Sequence, residues 1–400
     1  MYGRLHLGWL WGGVLLTALS PLGATADVFD DLEVHGFATQ GFVKSTANRF
    51  FGDSGHGSLE FSELGINATL EPTPSVRLSG QLLSRHAGDM YSGSPSVDFA
   101  LADFTVRSSE SDSLGIMIGR IKNPLGLFNE TRDVAFTRPG IFLPQVIYFD
   151  KARNLIMSSD GLGLRMGWYG ETLNGNLYLA AGQPLMDENV EHAYLGAGYA
   201  GEFETRGLSY IARLLLESPD DRLRTSFSIA STSLAFQREP IDPIDKGDVD
   251  FTYWIASLQY ATESWTFTTE FMREPIEWRG FSGSIFEGMN TTAEGYFVQA
   301  AWQANADIEL MFRYEEGFAD RADRSGRQLQ QRTFGLVPAH SRYSKILTAG
   351  IRWDLSPDMM LRAEYQRHHG TFVLSSRENS AAAAMRRDWD MFSLSASYRF

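Results

Sequence analysis

The residues best able to do chemistry are few and badly spaced for it. The chain carries eight histidines and no cysteine, so disulfides, thiolate chemistry and cysteine-based zinc sites are excluded. Among His6, His35, His56, His86, His192, His340, His368 and His369, only the last two adjoin. Adjacent strand residues leave opposite faces, which makes that pair a poor metal clamp. No G-x-S-x-G or H-E-x-x-H occurs, and Gly161-Leu162-Gly163 has no helix after it, so it is no nucleotide loop. The reading is therefore non-enzymatic, with no catalytic residue, metal or cofactor assigned. What the chain does concentrate is charge, in the segment Lys122 to Asn154. Lys122, Arg132, Arg138, Lys151 and Arg153 stand there with Glu130, Asp133 and Asp150. Such a group can set the potential that passing ions meet, or its members can pair with one another on a solvated flap.

The elements that must carry these charges are strands. Side chains alternate with period two, the spacing at which they leave opposite faces of a strand. Phe392, Leu394, Ala396, Tyr398 and Phe400 share one face at the C-terminus, and Ser393, Ser395, Ser397 and Arg399 the other. The same contrast recurs at Leu347/Ala349/Ile351/Trp353 and at Ile308/Leu310/Phe312/Tyr314. Sixteen such segments run from 33–45 to 388–400, among them 97–107 and 207–218. Many are as long as the roughly 9–11 residues that a tilted strand needs to cross a bilayer. Connections alternate between short turns, such as Pro219-Asp220-Asp221 and Ser356-Pro357-Asp358, and long loops, the longest near 123–157.

Strands with one uniformly apolar face must bury it, and this chain offers no helices to cover sixteen of them. In hydrocarbon every backbone polar group must be paired internally, so a closed antiparallel barrel with apolar side chains outward is the strand-based solution. The expected fold is an all-β transmembrane antiparallel barrel of about sixteen strands, with long extracellular loops. Tyr169, Trp254, Tyr260, Trp265, Trp302, Tyr343, Trp353, Trp389 and Tyr398 are expected in its interfacial girdles. A lumen that wide is too large for wall side chains to fill, and a water-filled channel follows. Parity assigns Arg77, Arg85, Arg165, Arg213, Arg224, Arg313, Arg352 and Arg362 to the lumen wall, opposed by Glu63, Glu270, Glu309, Glu315 and Glu364. Basic groups lead modestly, which predicts slight anion preference; the alternative is that wall arginines pair with wall glutamates and stiffen the barrel.

Met1 to Ala26 reads as a secretory signal, with Arg4, an apolar run from Leu7 to Leu19 and the small-residue site Ala24-Thr25-Ala26. The barrel would then occupy 27–400. Export without cysteine fits a Gram-negative envelope, and a net charge of −14 argues against a nucleic-acid partner.

At Gly119-Arg120-Ile121-Lys122-Asn123-Pro124-Leu125-Gly126 the chain resembles the Gram-negative porins, in particular the superfamily of the phosphate-selective porins. A similar G-x-x-K-x-P-x-G stretch leads there into the long third loop. The opening VHGFATQGFV at 34–43 and the closing Tyr398-Arg399-Phe400 are similar to the first and last strands of that group. The resemblance implies that the third loop folds into the lumen. It would bring Lys122, Arg132, Arg138, Lys151 and Arg153, with Glu130, Asp133 and Asp150, to the narrowest point. It implies an outer-membrane setting among lipid and lipopolysaccharide, and a homotrimer. Phe392, Tyr398 and Phe400 resemble the terminal signal read by the barrel assembly machinery. Small hydrophilic or anionic solutes are the expected cargo; because charge in the loop is mixed, phosphate is not assigned. Strands one, four and five alternate less cleanly, as suits a subunit contact. Two other classes stay open: a barrel whose loops 185–206, 279–294 and 321–341 bind a partner as receptor or adhesin, and a barrel hydrolase.

Overall fold

The computed structural model describes residues 31–400; the expected leader, 1–26, lies outside the described residues. From Glu33 to Arg399 the chain is a single antiparallel sheet that closes on itself, its first strand (Glu33–Ser45) pairing with its last (Asp388–Arg399) from Phe37↔Arg399 to Ser45↔Met391. Each strand otherwise pairs with its sequence neighbours, so the barrel is an up-and-down meander of sixteen staves. One stave is broken. The segment expected at 207–218 forms as Glu202–Thr205 and Ser209–Glu217, both paired with Leu223–Gln237, and Gly207 between them adopts a φ of +82°. The segment expected at 97–107 is longer, Tyr91–Ser108, and only three residues join it to the strand before.

Alternation decides which way each side chain points. Leu64, Leu82, Leu162, Phe312, Leu347 and Leu394 are exposed on the outside, an apolar mantle that acyl chains would cover. Trp265 and Trp302 stack face to face across neighbouring strands near the turn end, ring centroids 5.8 Å apart, as interfacial aromatics do. Phe392, Tyr398 and Phe400 are also outward and exposed. Trp389 is the exception to the girdle expectation. It faces inward, buried, and stacks on His368 at 3.7 Å, because the inner face becomes apolar toward the loop end.

That apolar inner belt is the feature alternation alone did not foresee. Val249, Phe251, Tyr253 and Ile255 on Gly247–Ala261, and Met272, Ile276 and Trp278 on Trp265–Gly280, all point inward and are buried. They need a partner inside the barrel: Val249, Phe251, Ile276 and Trp278 find it in Leu155, Val190, Leu195, Phe281 and Phe286, and Tyr253, Ile255 and Met272 find it in the loop 123–157. Leu125, Phe128, Leu143, Val146, Ile147, Tyr148 and Phe149 pack on Tyr253, Ile255, Met272, Phe297 and Ile346 as one cluster. On the opposite wall Ile141 and Phe142 pack with Phe50, Phe51, Phe61, Trp389 and Met391. The longest loop thus lies inside the lumen and touches both sides of it.

Candidate pore constriction and vestibule

The loop enters through the Lys122-Asn123-Pro124-Leu125-Gly126 stretch, and the terminal glycine has a physical reason. Gly126 has φ +61°, and a Cβ there would collide with the Tyr148 hydroxyl and crowd a Glu270 carboxylate oxygen. Those two groups fasten the loop to the wall: Tyr148 donates to Glu270 at 2.7 Å, and the Leu127 amide donates to the same carboxylate at 2.8 Å. Ser257 adds a third donor at 2.7 Å. Burial and the adjoining Glu270 push the Tyr148 hydroxyl well above its ordinary pKa, so it stays a donor.

Other wall charges do the same work on the loop backbone. Glu364 accepts from the Ile141 amide at 2.7 Å and Glu315 from the Val146 amide at 3.2 Å. Arg313 donates to the Phe142 carbonyl at 3.1 Å, Arg352 to the Phe136 carbonyl at 3.2 Å, and Arg362 to the Ala135 and Gly140 carbonyls. A loop buried in a lumen would leave its peptide groups unpaired; here inward arginines and glutamates satisfy them. The position of these groups follows from parity, but their partners do not.

Six of the eight loop charges gather in one knot with the wall. Lys122 holds Asp133 at 2.5 Å and Asp98 at 2.7 Å, and Arg153 closes on the other side of Asp133. Arg85 bridges Glu63 and Asp150, the latter at 3.0 Å; Arg132 reaches the Tyr148 carbonyl at 3.1 Å, and Arg138 the Ile141 carbonyl at 3.0 Å. Arg132, Asp133, Arg138, Asp150 and Arg153 are all buried. Five cations (Arg85, Lys122, Arg132, Arg138, Arg153) face four carboxylates (Glu63, Asp98, Asp133, Asp150). Burial first, and the crowding of Arg85 and Arg132 second, drive the Arg153 guanidinium well below its usual pKa. The Nε donors of Arg85, Arg132 and Arg138 find no acceptor among the described residues. Arg85, Arg132, Arg138, Asp150 and Arg153 surround a void of about 10 Å³, the room of one water-sized sphere.

The other two loop charges lie outside the knot, which corrects the expectation that all eight meet at one point. Glu130 turns toward the turn end, where it pairs with Arg213 beside a chamber of about 310 Å³ that Arg224 and Gln259 also line. Lys151 faces the loop end and a vestibule of about 550 Å³. Within the 3-10 turn Asp150–Ala152 the consecutive side chains Asp150 and Lys151 line different cavities.

Of the remaining wall arginines, Arg165 faces inward to Asp103 at 3.0 Å and Arg224 to Glu217 at 2.6 Å. Arg77 sits at the exposed turn-end rim, paired with Glu71 at 2.6 Å, and so lies off the narrow part of the lumen. His368 and His369 take opposite faces, the first against Trp389 and the second outside at 2.6 Å from Asp388. Among the described residues no three His, Asp or Glu side chains converge as a metal site.

The residues that sequence reasoning missed are the inward aromatics of the vestibule. The available signal was the strand Gly247–Ala261, where both faces are apolar: Phe251 and Ile255 inward, Trp254 and Leu258 outward. In a barrel that otherwise alternates, a two-sided strand marks protein packed on the inside.

No protein-family model matches the chain, and no curated protein does. Solved structures do. The outer-membrane channel DcaP of Acinetobacter baumannii aligns over 92% of this chain and 97% of its own, with a TM-score of 0.58 and 12% identity. The anion-selective porin from Comamonas acidovorans aligns over 92% and 99%, at 0.53 and 12%. The trimer form of OmpT, an outer-membrane protein of Vibrio cholerae, aligns over 92% and 99%, at 0.53 and 10%. The likeness runs the length of the barrel while the sequences have diverged almost completely, and the fold of this chain is the sixteen-stranded barrel of the outer-membrane porins.

Proposed function

We propose that this chain is an outer-membrane channel for passive diffusion of small hydrophilic solutes, with a mild preference for anions, and that it does no catalysis. The observation that carries the reading is the knot between the two chambers. Its cations outnumber its acids by one, and three guanidinium Nε donors there lack an acceptor among the described residues. In a low-dielectric passage such donors favour an anion over a cation. The anion selectivity of the similar Comamonas porin supports the same direction. The tightness of the knot favours small solutes and a small unitary conductance.

Lys122, Arg132, Asp133, Arg138, Asp150 and Arg153 are the residues we assign to the constriction. The test is planar-bilayer recording with Lys122, Arg132 and Arg138 each changed to Glu. Each change should shift the reversal potential toward cations. Stepwise channels whose conductance and selectivity ignore all three changes would overturn the assignment, and an absence of channels would favour the receptor or adhesin reading.

Three further assignments rest on the outer surface. The outward apolar rows fit acyl chains and lipopolysaccharide in a Gram-negative outer membrane. The terminal row Phe392, Tyr398 and Phe400 fits recognition by the barrel assembly machinery. A homotrimer is supported by the trimer form of the similar Vibrio protein, and the outer face of the first three strands suits the contact. On its loop-side half lie Gln40, Lys44, Glu60 and Ser84, with Leu64, Ile66 and Leu82 toward the turn end, whereas the outer faces of strands four and five carry Phe104, Ile116 and Ile118 in regular order. Native mass measurement in mild detergent checks it; a monodisperse monomer would count against it.

A further inference from the structure

The loop-end vestibule is built unlike a passage for hydrated ions. Its walls are mostly apolar and hold two face-to-face aromatic pairs. Tyr194 of the short helix Glu188–Tyr194 stacks on Phe251 with centroids 5.5 Å apart, and Trp278 stacks on Phe286 at 4.7 Å. These rings come from two wall strands and two separate loops, so the fold has brought them together from distant parts of the sequence. At about 550 Å³ the space matches the size of sites that enclose small organic ligands.

The charged groups of the same cavity are two cations and one acid: Lys151, Arg342 and Glu274. Glu274 is occupied by the Tyr194 hydroxyl, which donates to it at 2.8 Å. The Lys151 ammonium sits 4.3 Å from the Phe372 ring centre and 5.4 Å from that of Phe149, and it donates to the Phe372 carbonyl. Neither Lys151 nor Arg342 has a carboxylate at ion-pair distance among the described residues, although every cation of the knot does. A half-buried cation without a counter-ion is costly, and two in one aromatic cavity call for an anion from outside.

From this geometry we infer that the vestibule binds a small organic carboxylate with an aromatic or alicyclic body, its ring against the Tyr194–Phe251 and Trp278–Phe286 pairs and its carboxylate on Lys151 and Arg342. The ring supplies apolar contact and the carboxylate the missing counter-charge. The site is independent of whether the bound molecule is then conducted, because it lies on the loop side of the knot.

The test is calorimetric titration of the purified, detergent-solubilised barrel with 2-naphthoate, its neutral analogue 2-naphthamide, the cation 2-naphthylmethylammonium, and acetate. Naphthoate should bind, the amide and the ammonium at least about tenfold more weakly, and acetate not measurably, since charge-assisted hydrogen bonds and ring burial are both needed. The double change K151Q/R342Q should weaken naphthoate about tenfold or more and leave the amide unchanged. F286A should weaken all three ring compounds alike. Folding of each variant is verified by its heat-modifiable gel mobility. Equal binding of carboxylate and amide, no naphthoate binding by the folded wild-type barrel, or full affinity in folded K151Q/R342Q would overturn the inference, as would undiminished ring binding in folded F286A.

Discussion

The inner loop is held in two different ways at its two ends of charge and grease. Around Val146, Ile147 and Tyr148 it is fixed by apolar packing on Tyr253, Ile255, Met272 and Phe297, with the Glu270 carboxylate as a clamp. Around Arg132, Asp133 and Arg153 it is fixed by charge, in the knot with Lys122. Apolar burial is non-directional and tolerates small shifts, so the first region works as an anchor. A buried ionic network stands or falls with each member, so the second is where a substitution should be felt most. It is also where a solute would meet the protein's field.

Asp133→Ala is the sharpest way to break that contrast. Asp133 is fully buried between Lys122 and Arg153; without it Lys122 keeps only Asp98 and the buried Arg153 has no carboxylate at ion-pair distance among the described residues, a loss of about 3–5 kcal/mol. The loop can escape the penalty only by leaving its place, so single-channel conductance should rise several-fold while the barrel itself keeps its heat-modifiable mobility. Unchanged conductance would mean that the knot does not gate the passage. On the anchor side Ile147→Ala should cost about 2–4 kcal/mol in cavity and lost burial. Its signature should differ: noisier, fluctuating openings with selectivity retained, because the knot survives. If the two variants give the same trace, the division into anchor and knot is wrong.

The inner charges also show how far a strand sequence can be read. Alternation is local, set by the pleat alone, which is why Arg85, Arg165, Arg213, Arg224, Arg313, Arg352 and Arg362 could be assigned to the lumen face from their spacing, and why the sheet's staves stand where periodicity puts them. What each arginine touches is not local. Arg362 donates to carbonyls of Ala135 and Gly140, more than 220 residues away in sequence, and nothing in its own strand records that. Trp389 shows the same limit from the apolar side: an aromatic near a strand end reads as a girdle residue unless the loop that buries it is known. The Gly126 position was legible as a motif, but the need for it, a close approach of Tyr148 and Glu270, appears only in the folded loop.

A third contrast is between the charged contacts of the inner loop and those that tie the outer loops together. Glu378 in the loop 371–387 accepts from the amides of Phe51 at 3.0 Å and Gly52 at 2.6 Å. Those bonds favour its anion, but burial outweighs them and, with Asp89 nearby, raises its pKa to about 7. The neutral carboxyl is thus the form that fits the folded loops. Its stabilising contribution, on the order of 3 kcal/mol, is complete below the unfolded value of 4.5 and is lost as pH rises through about 7. Limited proteolysis of the loop 46–57 should therefore accelerate between pH 5 and about 8, and Glu378→Gln should flatten that dependence. A protection profile that is flat in the wild type, or that falls with falling pH, would remove Glu378 from this role.

The smallest effect belongs to the turn end, and it sets the zero for the others. Arg107 and Asp112 pair at 2.7 Å across a short turn, but their side chains are 67% and 36% exposed. Water solvates both charges nearly as well unpaired, so Arg107→Ala should change stability by less than about 0.5 kcal/mol and leave conductance and selectivity untouched. The distance is close to that of Lys122 to Asp98 in the knot, so geometry is matched while burial is not. If Arg107→Ala proved as damaging as Asp133→Ala, ion-pair geometry alone would govern these contacts. A null result beside a large one assigns the difference to the dry interior that the loop creates inside the barrel, which is the same condition that lets a few guanidiniums bias a passage.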